Sequence, residues 1–382
     1  LSSALDGATV LLAAGGTGGH LSPALAVAAE LAARGARVAF VTTPAQAELV
    51  PDAYEVHTLE LRGFERHAGA LRQHARTLRL LAAAAPRAWG IVNVTRPVAA
   101  VGGGGYASGP VVALAGLRGV PALALEADAH LGVANRLLRP FVDRFCLSFP
   151  IEGLEGPKYV VTGRPLTAAQ VSATREEGLA AFELCADLPV LLVFGGSQGA
   201  QTLNRACVDA FAGPDAPAGD LELQVVHVCG PRNHDEVRAE LERRGARFER
   251  YRLVPYTAQL APAMAAADLV VARAGGSVAE LAALGRPAVL VPYPYATADH
   301  QHKNAEWMVG AGAAVLVADA ELDGARLARL VRELLGDPAR LAAMAAASRR
   351  AGKPDATRRV ADEIEELVAA RRRRPRPQTG ER

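Results

Sequence analysis

Four times in this chain a short apolar run ends in glycines and is followed by a segment of helical length. The four turns are Gly15-Gly16-Thr17-Gly18-Gly19-His20, Gly102–Gly105 before Tyr106, Gly195-Gly196-Ser197-Gln198-Gly199 and Gly275-Gly276-Ser277. A strand that feeds a helix through a tight turn is the unit of an α/β sheet, and in open sheets these turns gather at the carboxyl ends of the strands, where ligands bind. Glycine lets the backbone approach a ligand closely. The helix that follows adds unpaired N–H groups and the positive end of its dipole, which suit a phosphate or diphosphate. One such turn is equally what tight strand-to-helix packing demands; four of them, two in each half, favour ligand binding.

The remaining pattern fits this unit. In the first half, strands are expected near Val10–Ala13, Val38–Thr42, Val98–Val101 and Ala122–Glu126, with helices near Pro23–Ala33, Leu71–Ala84 and Gly109–Leu117. In the second half, strands are expected near Val190–Phe194, Gln224–Cys229, Leu269–Ala272 and Ala288–Val291, with helices near Gln201–Phe211 and Val278–Leu284. A length of 382 residues suits two cores. The seam is expected at Val161-Thr162-Gly163-Arg164-Pro165, which divides the chain into 1–163 and 164–352. A helix over about 355–370 follows and is expected to return to the first domain. The basic, proline-broken tail 371–382 reads as a disordered solvated end, with attraction to anionic lipid as the alternative.

Several function classes are disfavoured. Formal net charge is only +2 and the cations are spread, so no nucleic-acid partner is expected. Cys146, Cys185, Cys207 and Cys229 are scattered without a CxxC pair, which argues against a zinc site or a disulfide framework. The opening Leu1-Ser2-Ser3 lacks a signal-peptide pattern, and no apolar run reaches the roughly 18–20 residues of a membrane span. Any membrane contact is therefore expected to be peripheral. A dinucleotide fingerprint fails because Leu21 stands where the third glycine belongs, and Thr42-Thr43-Pro44 ends the second strand without the ribose-binding acid. A phosphate loop ending in Gly-Lys-Ser/Thr is also missing.

The second half carries a sharper constellation. Arg273-Ala274-Gly275-Gly276-Ser277-Val278-Ala279-Glu280 puts a carboxylate on the first turn of a helix beyond a glycine turn. That carboxylate can accept both hydroxyls of a ribose, or it can simply be a helix-start acid favoured by the dipole. Asp299-His300-Gln301-His302-Lys303-Asn304-Ala305 offers hydrogen-bonding groups suited to sugar hydroxyls, and reads equally well as a polar loop.

In combination, Gly15–His20, the run Gly104 to Pro110, Gly195 to Ala200, Arg273–Glu280 and Asp299–Ala305 resemble the MurG family. These are N-acetylglucosaminyltransferases that act from UDP-N-acetylglucosamine (UDP-GlcNAc) on lipid-linked N-acetylmuramyl-pentapeptide in peptidoglycan synthesis. The matches run in order over about residues 8 to 365. The resemblance implies an α/β GT-B fold, with two Rossmann-like doubly wound parallel-sheet domains facing a central cleft. It implies the donor in the C-terminal domain, the lipid-linked acceptor in the N-terminal one, inversion at the anomeric carbon and a β-1,4 linkage. Carried over by position, Glu280 would bind the uridine ribose, Ser197 and Gln198 would lie at the donor diphosphate, and Gln301 would contact the sugar hydroxyls, with Gly196, Gly276, Arg164 and Arg273 also on the donor side. Thr17, Gly18, Gly19, Gly104 and Tyr106 would cradle the acceptor diphosphate, with Asn135 also on the acceptor side.

Two strings depart from the family pattern. Leu125-Glu126-Ala127-Asp128 stands where His-Glu-Gln-Asn is usual, and Gly163-Arg164-Pro165-Leu166-Thr167 where Gly-Asn-Pro-Val-Arg is usual. The family's phosphate-facing arginine is thus absent from its place, and whether the neighbouring Arg164 substitutes for it is left open by the sequence. His20 is the first candidate for the base, since an imidazole with an ordinary pKa near 6.5 is available in neutral form. Its other reading is a phosphate ligand or helix cap; Asp128, Glu126 and His130 stand in reserve. Arg164 or Arg273, with the helix start after Gly199, would stabilise departing UDP. No metal and no cofactor are required on this scheme.

The segment Leu71–Trp89, with Arg72, Arg76, Arg79 and Arg87 among leucines, reads as an amphipathic helix on anionic lipid or as an ordinary surface helix. Peripheral attachment at the cytoplasmic face of the membrane follows from the first reading, with other cell-wall synthesis proteins as candidate partners. Three alternatives remain: a related glycosyltransferase with another glycolipid or natural-product acceptor, a UDP-GlcNAc 2-epimerase, and a sugar-nucleotide-binding protein without turnover.

Overall fold

A computed structural model describes residues 4–15, 18–60, 70–105 and 108–373. The chain divides into two compact units, Leu1–Thr167 together with Asp355–Arg382, and Ala168–Pro354. The first is built on β1 (Thr9–Ala14), β2 (Arg37–Thr42), β3 (Glu55–Thr58), β4 (Ala99–Gly104), β5 (Ala122–Glu126), β6 (Arg144–Leu147) and β7 (Tyr159–Val161). The second is built on β8 (Val190–Phe194), β9 (Gln224–Val228), β10 (Tyr251–Val254), β11 (Leu269–Ala272), β12 (Ala288–Leu290) and β13 (Ala314–Leu316).

Strand order is β3-β2-β1-β4-β5-β6-β7 in one sheet and β10-β9-β8-β11-β12-β13 in the other, and every pairing is parallel. Both are doubly wound Rossmann-like sheets. Each reverses direction once, between β1 and β4 and between β8 and β11, and a crevice opens at the carboxyl ends of such a pair. The glycines lie at the carboxyl ends of these four strands, Gly102–Gly104 as the last residues of β4 and Gly15, Gly195 and Gly275 just past β1, β8 and β11.

The central strands read as continuous apolar runs because both faces are covered. Along β1, Val10 and Leu12 join Val27, Leu31, Val360 and Ile364 in one core, while Leu11 and Ala13 join Val92, Val111 and Val112 in another. That split is the two-residue period of a strand. The strands absent from the sequence reading, β3, β6, β7, β10 and β13, include all four sheet edges. At those edges burial is incomplete, as in β3, β7 and β13. A half-covered strand needs fewer apolar residues, so it leaves a weaker pattern.

Three boundaries differ from expectation. Arg164, Pro165, Leu166 and Thr167 belong to the first unit rather than to the second. Leu166 is stitched there by a pair of bonds: its N–H donates to Thr357 Oγ1 at 2.9 Å, and that hydroxyl donates to the Leu166 carbonyl at 2.6 Å. The helix expected to stop at Ala84 spans Ala70–Thr95 and continues through Pro86. Proline removes one hydrogen bond and often kinks a helix, yet the chain beyond it anchors Ala88, Ile91 and Val92 in the core. The last helix spans Ala356–Arg373 and so includes Arg371, Arg372 and Arg373, which were assigned to the tail. Cations are favoured in a last turn by the negative end of the helix dipole.

This last helix packs on the helix Gly18–Ala33 through Val360, Ile364 and Val368, four residues apart and therefore on one face. Arg34 reaches Asp362 at 2.7 Å and Glu365 at 3.1 Å, and Arg144 reaches Glu366 at 2.9 Å and Glu363. Truncation of the buried Ile364 to alanine should destabilise the first unit by about 2–5 kcal/mol, the usual range for a core isoleucine, read as a lower midpoint in urea unfolding.

A second expectation concerns His227 on β9. It is fully buried, and burial pushes its pKa down to about 3, against about 6.5 in an unfolded chain. Between those values the unfolded chain binds a proton that the folded chain refuses, so stability falls as pH drops through that window. Thermal unfolding between pH 7 and pH 4 should show a declining midpoint, and the decline should be shallower in His227→Gln.

Candidate active site

At the first switch point the two glycine turns touch. Gly15 N–H donates to the Gly104 carbonyl at 3.3 Å. Gly104 and Gly105 have φ of +99° and +76°. A Cβ on Gly105 would lie 1.5 Å from the Gly15 carbonyl oxygen, and one on Gly104 would lie 2.5 Å from His20 Cδ2. Only glycine fits either position, and the half-buried His20 ring lies directly against Gly104. The helix Gly18–Ala33 starts here, and Ser108 Oγ donates to the Gly105 carbonyl at 2.8 Å at the start of Ser108–Leu117. Neither helix has an acid in its first turn. Arg164, almost wholly buried, donates to the Gly19 carbonyl at 2.7 Å. Two helix starts and a guanidinium thus place positive potential around Gly18 and Gly19. Thr17 and Tyr106, expected in this cradle, lie outside the described residues.

Glu126 closes β5 next to this region, and its geometry is that of a loop anchor rather than a free base. Its carboxylate accepts from Gly132 N at 2.8 Å, from Asn135 Nδ2 at 2.9 Å and from Asp128 N at 3.3 Å. Burial raises its pKa, and those three donated bonds pull the other way. Asn135 gives its amide to Glu126 and to the Leu125 carbonyl, so it supports the loop from within. Asp128 is half-buried on that loop.

At the second switch point, Gly196 and Gly199 have φ of +89° and +74°, and Gly199 N–H donates to the Gly196 carbonyl at 2.9 Å. Ser197 and Gln198 are exposed at the tip, ahead of the helix Gln201–Phe211, which also has no acid in its first turn. After β11, Gly275 and Gly276 lead into Ser277–Ala283 with Glu280, half-buried, on its first turn. Beyond β12, Gln301 accepts from Tyr293 N at 2.9 Å, which turns its amide nitrogen toward Gly275, 3.9 Å from where a Cβ would stand. Asn304, one turn further, donates to the Ala274 carbonyl at 3.1 Å. Ala298 and Asp299, just before, hold left-handed backbone at φ 51° and 55°, strain that such loops keep only when their surroundings enforce it. Gly196, Ser197, Gln198, Gly276, Glu280 and Gln301 therefore emerge from β8, β11 and β12, three adjacent strands.

Arg273 departs from its expected role. It ion-pairs with Asp319, donates to the Val291 and Pro292 carbonyls at 3.1 and 3.2 Å, and lies over the Tyr293 ring at 5.6 Å. Thr202 donates to the same Asp319 at 3.1 Å. The guanidinium braces the loop after β12, with its charge neutralised in place. The sequence reading named neither Asp319 nor Thr202, because nothing local to them signals a partner far along the chain.

Comparison with known proteins gives the family. Residues 10–146 match the model of the glycosyltransferase family 28 N-terminal domain, and residues 190–360 that of the family 28 C-terminal domain. The UDP-N-acetylglucosamine–N-acetylmuramyl-(pentapeptide) pyrophosphoryl-undecaprenol N-acetylglucosamine transferase of Halothermothrix orenii is 36% identical, over 93% of this chain and 97% of its own. The chain belongs to the MurG family. It is accordingly a glycosyltransferase. A crystal structure of MurG from Acinetobacter baumannii superposes with a TM-score of 0.72 at 28% identity, covering 94% of this chain and 99% of the other. A UDP-N-acetylglucosamine 2-epimerase superposes with a TM-score of 0.66 over 97% of this chain and 99% of its own, but at 15% identity it shares the fold alone.

If Glu126 anchors the loop, Glu126→Ala leaves the Gly132 N–H without its acceptor and the Asn135 amide with only the Leu125 carbonyl. The expected loss is about 1–3 kcal/mol for each buried donor so orphaned, measured by urea unfolding.

Proposed function

We propose that this chain transfers N-acetylglucosamine from UDP-GlcNAc to the 4-hydroxyl of the N-acetylmuramyl residue in undecaprenyl-pyrophosphoryl-N-acetylmuramyl-pentapeptide, with inversion, giving the β-1,4-linked disaccharide lipid used for peptidoglycan. The observation that carries this reading is the pair of switch points, each with glycine backbone and helix starts that suit a diphosphate. One substrate is a nucleotide diphosphate sugar and the other a lipid diphosphate sugar, so two anion cradles are what the reaction needs.

The donor belongs to the second unit. Glu280 accepts the ribose hydroxyls, the Gly195–Gly199 turn and the start of Gln201–Phe211 hold the diphosphate, and Gln301 meets the sugar. The acceptor diphosphate belongs to Gly18, Gly19 and Gly104, with Arg164 adding charge. In the transfer step the acceptor oxygen forms a bond to the anomeric carbon as the bond to UDP breaks. UDP leaves with the electron pair, and the hydroxyl proton passes to His20, or to Asp128 if His20 serves the phosphate. Developing charge on UDP is met by the helix start after Gly199, a preorganised dipole that needs no rearrangement during reaction.

Peripheral attachment to the cytoplasmic membrane face suits a lipid-linked acceptor. Among the described residues no helix is long and apolar enough to cross a membrane. On the helix Ala70–Thr95, Arg87 and Trp89 are exposed, and the Arg118 guanidinium lies 4.7 Å above the Trp89 ring. Exposed Val94 and Leu117 lie on the same two neighbouring helices. An aromatic ring with cations suits an anionic interface. The side chains of Arg72, Arg76 and Arg79 lie outside the described ones.

The test is transfer of radiolabelled N-acetylglucosamine to a lipid-linked acceptor. Glu280→Ala should weaken donor binding, raising donor KM by about tenfold or more for loss of a charge-assisted bond pair. His20→Ala should lower kcat by about 10²–10⁴-fold, the usual worth of a general base, with donor KM little changed. Conversion of UDP-GlcNAc without acceptor would instead favour the epimerase reading.

A further inference from the structure

The second unit's core contains a chain of polar groups that packing alone does not require. Asn204 and His227 are buried, as are Tyr251 and Cys207. Asn204 Nδ2 donates to the Cys229 carbonyl at 2.9 Å, which leaves its Oδ1 as the acceptor for His227 Nε2–H, also at 2.9 Å. His227 Nδ1 is then bare and accepts from the Tyr251 hydroxyl at 2.9 Å, and that hydroxyl oxygen is 3.1 Å from the Cys207 thiol, its remaining donor. Each link runs from donor to acceptor in one direction, from the Cys207 thiol to the Cys229 carbonyl. Burying so many polar groups is unfavourable unless all are paired, and apolar residues of the same size would fill the space more simply.

The chain ends under the glycine turn assigned to the donor diphosphate. A Cβ on Gly199 would lie 1.9 Å from the Cys229 carbonyl oxygen, so the turn rests on that carbonyl. Asn233 Nδ2 donates to the same carbonyl at 2.9 Å and to the Gln198 carbonyl at 3.2 Å, joining the two. Gly230 is pressed against the turn as well, where a Cβ would lie 2.3 Å from the Gln198 carbonyl oxygen. The Cys229 carbonyl thus receives two amides, one from the buried chain and one from Asn233. Moving it moves the backbone of Gln198 and Gly199.

We propose that His227 and Tyr251 are positioning residues for the nucleotide-sugar diphosphate: through Asn204 and the Cys229 carbonyl they fix the height and orientation of the Gly195–Gly199 turn. They act through the turn and touch no substrate. The inference rests on the donor-site reading of that turn.

The experiment measures UDP binding by calorimetry and transfer kinetics for the natural chain, Tyr251→Phe, Asn233→Ala, His227→Gln and Glu280→Ala. Asn233 lies at the surface side of the Cys229 carbonyl, so its removal cuts the link without opening the core. Tyr251→Phe and Asn233→Ala are each expected to raise Kd for UDP about tenfold, within the roughly hundredfold that a displacement near 1 Å costs. kcat at saturating donor and KM for the acceptor should stay as in the natural chain. His227→Gln, which keeps one N–H donor and one acceptor, should bind UDP more tightly than Tyr251→Phe. A fall in kcat, acceptor affinity and near-UV circular dichroism together would mean general loss of packing and would overturn the inference. Natural UDP affinity in both Tyr251→Phe and Asn233→Ala, with Glu280→Ala weakened, would overturn it while leaving the donor site standing. Natural affinity in Glu280→Ala as well would remove the donor-site reading and the inference with it.

Discussion

The structure depends on backbone passing backbone, at the ends of paired parallel strands, closer than any side chain permits. Gly105 against the Gly15 carbonyl, at the β1–β4 switch point, and Gly199 against the Cys229 carbonyl, between β8 and its other neighbour β9, are two instances of one constraint. Because connections leave the strands of a switch point in opposite directions, the space between them is not filled by a helix. Glycine keeps that space free of Cβ atoms, and the helix starts beside it turn their N–H groups inward. The chemistry proposed for both sites follows from that geometry, since main-chain N–H groups and helix dipoles suit a diphosphate.

Around these sites, charge is used in two contrasting ways. Arg164 is buried and donates to the Gly19 carbonyl, which holds its guanidinium beside the first glycine turn. Arg273 has the same side chain and a similar place after a strand, yet Asp319 cancels its charge, and the residue becomes a brace for the loop before Gln301. Glu126 makes the parallel point for acids: a carboxylate that accepts three internal bonds orders its loop and leaves Asp128 at the rim. In each case the partner, rather than the residue type, decides the role. For the two arginines those partners come from remote parts of the chain, whereas those of Glu126 lie within its own loop.

The central strands were legible because burial on both faces demands an unbroken apolar run, and the four glycine turns because close approach admits one residue type. Edge strands such as β3 and β13 escaped notice, since a half-covered strand carries a weak pattern. The helix through Pro86 and the extension over Arg371–Arg373 escaped for another reason. Local breaker and charge signals were outweighed by contacts that Ala88, Ile91 and Val92, or Val360, Ile364 and Val368, make with the sheet.

By itself the sequence determined the two parallel-sheet units and the glycines at the ends of their central strands, because each follows from short-range sterics or a local period. Tertiary structure alone decided that Arg164 to Thr167 side with the first unit, that Arg273 is neutralised by Asp319, and that a chain from Cys207 to Asn204 ends beneath Gly199. Those outcomes depend on residues tens to hundreds of positions apart. A hydrogen bond or ion pair across such a distance leaves no periodic trace, because either partner could have met something else until the sheets were assembled.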